Sequence, residues 1–165
     1  MSLIAAAPPL VRTTPPSDPA PLGTVSAGEW WPTVDLAELR DAMRLDGTIT
    51  PQRLLPAVQE AVATTVGVLA AWAQSRQDEG RANLAAVPAL QIDGESVNVQ
   101  RYRRAVYCHA KANLIERYSD YDTTGRARKD DQEESRETQA EQYRRDATWA
   151  VRDILGNTRL TVELI

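Results

Sequence analysis

The stretch Asp93–Tyr118, DGESVNVQRYRRAVYCHAKANLIERY, limits what the rest of the chain can do. Wound as a helix it carries two apolar stripes. Val99, Tyr102, Val106, Ala110 and Leu114 share one side, and Ala105, Cys108, Ala112 and Ile115 lie nearly opposite. A helix that is apolar on two faces must be packed on both, so it needs a neighbouring helix on each flank. Gln100, Arg104 and Lys111 fill one gap between the stripes, and His109 and Glu116 fill the other, leaving two thin wet edges.

The flanking helices are readable on either side. Asp35 stands three residues before Glu38 as a capping box and opens a first helix running to about Leu45, with Leu36, Leu39 and Met43 on one face. Asp46-Gly47 ends it. Thr50-Pro51 starts a longer second helix, with Pro51 at the first position, where its missing N–H costs nothing. Its apolar face is Leu54, Leu55, Val58, Val62, Val66, Leu69 and Trp72, and Gly80 marks its end. Pro56 falls inside the first turns, where it kinks a helix or delays its start. On the back, Ala63, Gly67, Ala70 and Ala71 form a small-residue strip where a lone surface helix carries charge. Two readings stand: weakly polar surface, or contact with a neighbouring copy.

Arg81–Ile92 is a short connection, with Val87-Pro88 extended. Ser119–Glu134 is rich in charge and turn formers and reads as a mobile loop. Within it, Asp130, Asp131, Glu133 and Glu134 suit a solvated helix start better than a divalent-cation site. The last helix is expected from Thr138, which forms a capping box with Glu141, to Leu155 before Gly156. Its buried stripe is Tyr143, Ala147, Ala150, Val151 and Ile154. Trp149 points elsewhere, and Arg145, one turn earlier, is placed to stack on it. That pair is either a shielded surface tryptophan or a partner-facing anchor.

Both ends of the chain depart from helical patterning. Met1–Gly28 holds six of the ten prolines and only Arg12 and Asp18 as charges, so it is an extended, polyproline-prone arm with Leu3 and Ile4 as its apolar contacts. At its inner end, Trp30-Trp31 either pin the arm to the domain's own core, worth about 2 to 3 kcal/mol per ring, or anchor in a neighbouring subunit. The last residues alternate, with Leu160, Val162 and Leu164 on one side and Ile165 at the end. A lone strand must pair with a partner or another copy, or stay frayed. The fold expected is therefore mainly α: a four-helix bundle-like domain over 30–156, a proline-rich arm over 1–29 and a strand-like tail over 157–165.

Function is constrained mostly by what is missing. A net charge of -4 and a pI near 5.1 oppose general affinity for nucleic acid or anionic membrane. Basic charge is carried almost wholly by arginine. Cys108 has no partner for an internal disulfide, and no cluster has zinc spacing. His109 is next to Cys108, but successive helical residues diverge by about 100° and form no dyad. The N-terminus lacks the basic region of a signal peptide, and Gln59, Glu60, Thr64 and Thr65 interrupt the apolar run 57–73, against a membrane span. No catalytic, cofactor or metal site is expected, and an enzyme is not. Arg101, Arg103 and Arg104 crowd the start of the central helix and keep a helical DNA-binding regulator or packaging subunit in play, although two-sided packing leaves no free recognition face.

Six blocks carry a family resemblance, in this order: WWPTVDL, RDAMRLDGTITPQRL, LAAVPALQIDGES, RRAVYCHAKANLIERYSDYD, RRDATWAVRDILG and the final apolar tail. Together they cover Trp30 to Ile165 and resemble the head completion (head stabilisation) proteins of contractile-tailed temperate phages. The arm before Trp30 departs from that family in length and sequence. The resemblance implies a virion structural protein made in the host cytoplasm and residing at the head–tail interface. It implies an adaptor ring, expected to be dodecameric, beneath the portal after packaging. Its partners would be other copies, the portal protein and a tail or tail-terminator protein, with double-stranded DNA passing through the lumen without specific binding and no membrane involved. The contact candidates are Leu3, Ile4, Trp30, Trp31, Ala63, Gly67, Ala71, Arg145, Trp149, Leu160, Val162, Leu164 and Ile165, with docking to the portal through one or both extended ends.

Overall fold

The computed structural model describes residues 22–118 and 129–157. Asp35 caps α1 (Leu36–Ala42), its carboxylate accepting from the Ala37 and Glu38 amides at 2.7 and 3.0 Å. The helix stops short of the expected Leu45 because Arg44 turns left-handed (φ 49°), and the Leu45 amide then donates back to the Arg40 carbonyl at 2.9 Å. That turn buries Leu45, which offsets the strain of a non-glycine residue there. Asp46 next accepts from the Thr48 amide and hydroxyl, and these bonds hold its carboxyl below the usual range.

α2 (Pro51–Asp78) starts at Pro51, and Thr50 makes no side-chain cap. The helix runs unbroken through Pro56, which lies on the solvent side. Gly80 (φ 81°) ends it, with the Gly80 amide on the Gln77 carbonyl (2.8 Å) and the Arg81 amide on that of Arg76 (3.0 Å).

Two short antiparallel ribbons were not expected. β1 (Thr24–Val25) pairs with β2 (Val34–Asp35), so the inner end of the proline-rich arm joins the domain and Val25 enters the core. β3 (Gln91–Ile92) pairs with β4 (Glu95–Ser96) around Asp93 and Gly94, both at positive φ (53° and 76°), as a two-residue primed turn demands. The central helix α3 therefore spans Val97–Tyr118, and the four residues before it belong to the hairpin. α4 spans Lys129–Leu155 and so takes in the last residues, 129–134, of what reads as a mobile loop. Lys, Gln, Glu and Arg dominate its first turns and have strong helix propensity, and acidic residues there complement the helix dipole; these override the cap pattern at Thr138. Residues 119–128 of the expected loop lie outside the described residues.

The two-sided burial of α3 is observed. Val99, Tyr102, Val106, Ala110 and Leu114 are buried, as are Ala105, Cys108 and Ala112 on the other side, with Ile115 half-buried. α2 packs on one flank and α4 on the other, while α2 and α4 barely touch. α2 contributes Leu54, Val58, Val62 and Leu69, and α4 contributes Ala147, Ala150, Val151 and Ile154. The buried Thr65 hydroxyl donates to the Ala61 carbonyl one turn back (2.8 Å), which satisfies it without leaving its helix.

Tyr102 sits at the middle of this packing, stacked on Trp31 with ring centroids 5.2 Å apart. Its hydroxyl is buried with no hydrogen-bond partner among the described residues, and burial pushes its pKa up to about 12. A buried hydroxyl without a partner costs about 1 to 3 kcal/mol, so Tyr102→Phe should hold or raise the melting temperature, by a few degrees at most. Thermal denaturation followed by circular dichroism checks this; a clear drop would mean that the hydroxyl has a partner. Because the folded pKa exceeds the unfolded value of 10.0, the contribution of Tyr102 to stability should be constant below pH 10 and be lost as pH rises from there toward 12. The Phe variant should lose less stability over the same range.

Candidate interaction surfaces

The arginines at the start of α3 are engaged within the subunit. Arg103 meets Glu95 of β4 through two bonds of 3.0 Å, and that carboxylate raises its pKa further. Arg101 donates to the Asp153 carbonyl near the end of α4 (3.1 Å), and Arg104 pairs with Asp146 (3.5 Å). Farther along, Arg144 of α4 pairs with Glu116. These groups fasten α3 to the hairpin and to α4, so they do not form a face aimed at a nucleic-acid groove.

Cys108 is buried, and burial pushes its thiol pKa up. Burial, helped by Arg144, pulls that of His109 down, which favours the neutral ring. Neither shift activates a nucleophile at neutral pH. Among the described residues, no three His, Cys, Asp or Glu side chains cluster as metal ligands do.

The tryptophans work inside the subunit. Trp31 is buried, and Trp30 lies edge-on to it at 4.6 Å and to Trp72 of α2 at 6.2 Å. The Trp30 ring N–H donates to the Arg81 carbonyl (3.1 Å), and its own carbonyl accepts from the Leu84 amide (3.0 Å). This is the geometry of pinning the arm to the domain's own core. On α4, the Arg145 guanidinium lies 5.0 Å above the half-buried Trp149 ring, as their spacing suggests. Leu3, Ile4, Leu160, Val162, Leu164 and Ile165 lie outside the described residues.

The clearest unpartnered surface is the back of α2. Ala63, Gly67, Ala70 and Ala71 are all exposed, together with Leu55 (39 %) and Val68 (58 %). Between Pro56 and Gln74 the only charged residue on that side is Glu60. The strip thus widens into a face about five turns long that carries a single charge, Glu60. Sequence periodicity placed Leu55 on the core side and overlooked Val68, since a helix with apolar residues nearly all round does not disclose which of them face solvent. By length and composition α2 could cross a bilayer, yet Leu54, Val58, Val62 and Leu69 are used in the domain's own core.

A second apolar surface, also overlooked, lies on the β3–β4 hairpin, where Leu90 is 68 % and Ile92 43 % exposed. The Asp-Gly pair after Ile92 is the signal that would have revealed the hairpin and put Leu90 and Ile92 on a ribbon.

Comparison with known proteins gives the context for these surfaces. The sequence profile of the phage head completion protein (GPL) family matches residues 25–165. The chain is 37% identical over 136 residues to the head completion/stabilization protein of Escherichia phage P2, covering 82% of this chain and 79% of that one. No solved structure matches.

Adjacent residues on α2 provide a direct test of which way it faces. Val68→Glu should change stability by no more than about 0.5 kcal/mol, whereas Leu69→Ala, at a fully buried site, should cost about 2 to 5 kcal/mol. Chemical denaturation of both variants checks this, and similar losses would mean that the face is covered within the subunit.

Proposed function

Because this chain belongs to the phage head completion protein (GPL) family, we propose that it is the virion adaptor that forms a ring beneath the portal once DNA is packaged, retaining the genome and joining head to tail. The observation that carries the ring is the solvent face of α2. The small residues Ala63, Gly67, Ala70 and Ala71 on this face let a second helix approach closely, and in a closed ring each copy covers the face of the next. A dodecameric ring would match the portal above it.

Two further features support this reading. The net charge of -4 suits a channel wall, since each neutralised phosphate would add affinity that slows the exit of DNA. The proline-rich arm before Leu22 would span about 60 Å if extended, and we propose that it carries Leu3 and Ile4 to a portal subunit. The Arg145–Trp149 pair on α4 offers a separate amphipathic contact for a neighbour or the tail. The rival, a DNA-binding regulator or packaging subunit, gains no support from the start of α3, where the arginines are already bonded.

The test is to mix the full-length protein with purified portal rings and image the particles. Wild type should add a ring of density on one side of the portal. Val68→Glu should fail to do so while keeping its melting temperature, and removal of residues 1–21 should weaken docking without loss of helicity. Rings formed equally well by Val68→Glu would overturn the α2 contact. A salt-sensitive gel shift with DNA would favour the rival.

A further inference from the structure

We infer that the C-terminal segment 158–165 folds back on its own subunit and adds as a third strand to the outer edge of β3. The inference does not depend on the ring, because it concerns one chain alone.

β3 offers an open edge. Ile92 and Glu95 flank the two-residue turn, and the Val97 amide donates to the Leu90 carbonyl at 2.9 Å. Antiparallel pairing alternates, so the N–H and C=O of Gln91, which faces Ser96 between those two pairs, turn away from β4 on an exposed strand. An edge of this kind is a template for one more strand.

The side chains beside that edge are apolar. Leu90 and Ile92 are on the same side of the strand and largely exposed. Leu90 also lines a groove of about 390 Å³ whose apolar walls are completed by Trp72, Val87, Pro88, Val97 and Ile154, with Arg76, Asn98 and Arg101 as its polar walls. These walls come from α2, the connection, the start of α3 and the last turn of α4.

The last turn of α4 lies beside this groove. Ile154 is one of its walls, and the Arg101 bond to the Asp153 carbonyl holds the end of α4 against the first turn of α3, directly after the hairpin. Gly156 (φ 73°) turns the chain out of the helix, with the Asn157 amide closing on the Arg152 carbonyl at 3.0 Å. The eight residues that follow, TRLTVELI, span about 27 Å as a strand, ample for a ribbon this short. Their alternation puts Leu160, Val162 and Leu164 on one side for the groove and Thr161 and Glu163 on the other for water. A strand tethered this closely acts at an effective concentration on the order of millimolar, which favours the chain's own tail over that of a neighbour.

Cysteine pairing tests this in the full-length protein. Leu90→Cys is combined in turn with Leu160→Cys, Val162→Cys or Leu164→Cys, and as controls with Thr161→Cys or Glu163→Cys. After mild oxidation at low protein concentration, at least one pair of the first group should give a reducible, faster-migrating monomer on a denaturing gel, and the controls should not. Disulfide-linked dimers would assign the groove to a second copy's tail and overturn the inference, as would equal reaction of both groups or none. Hydrogen exchange gives a readout free of substitutions near β3. The Gln91 amide should exchange roughly tenfold faster or more when the chain is ended at Asn157. Unchanged exchange would also overturn the proposal.

Discussion

The burial of α3 on two opposite sides is the constraint from which the other features follow. A helix with two dry faces needs two neighbours, and α2 and α4 meet that need without needing each other. The result is a layer of three helices, α2–α3–α4, with short α1 closing one end. A layer has outer faces, and here they differ in kind. The outer side of α2 is mostly small or apolar with one charge, Glu60, over five turns, whereas the described part of that of α4 is crowded with charge apart from Trp149 beneath Arg145. Such asymmetry suits a subunit that presents one side to its own kind and the other to solvent or a different partner.

The same constraint explains the two ribbons. Burying Tyr102 and Val99 at the start of α3 requires something above them, and the Trp30–Trp31 corner supplies it. That corner is held by the β1–β2 pairing, by the Leu84 amide and by the Arg81 carbonyl. The β3–β4 turn reverses the chain so that α3 enters the layer correctly, and the Arg103–Glu95 fork ties the hairpin to the helix it precedes. Being partly exposed, that fork is worth about 1 kcal/mol or less and serves more to fix geometry than to add stability.

Much of this was readable in the residues, because the signals were periodic and long. Both stripes of α3, the Asp35 cap, the Pro51 start, the Gly80 stop and the Arg145–Trp149 stack follow from spacing alone. The ribbons and the start of α4 were missed for one physical cause: each was too short, or too uniformly polar, to show a period. Two-residue strands cannot display alternation, so Asp93-Gly94 was absorbed into the helix that follows. The first turns of α4 have no apolar stripe, and a good cap sequence at Thr138 competed with strong helix formers before it. On α2 the small strip was visible, but Val68 could not be assigned a side without knowing where the neighbours stand.

The two seams of the layer are fastened differently. Between α3 and α4, alanine packing is supplemented by Arg104–Asp146 and Arg144–Glu116, ion pairs with substantial exposure to solvent. Between α3 and α2 the contact rests on leucine, valine and aromatic rings. Ions shield the former and leave the latter nearly untouched, so added salt acts on one flank of α3 and hardly on the other, by no more than the small worth of exposed pairs.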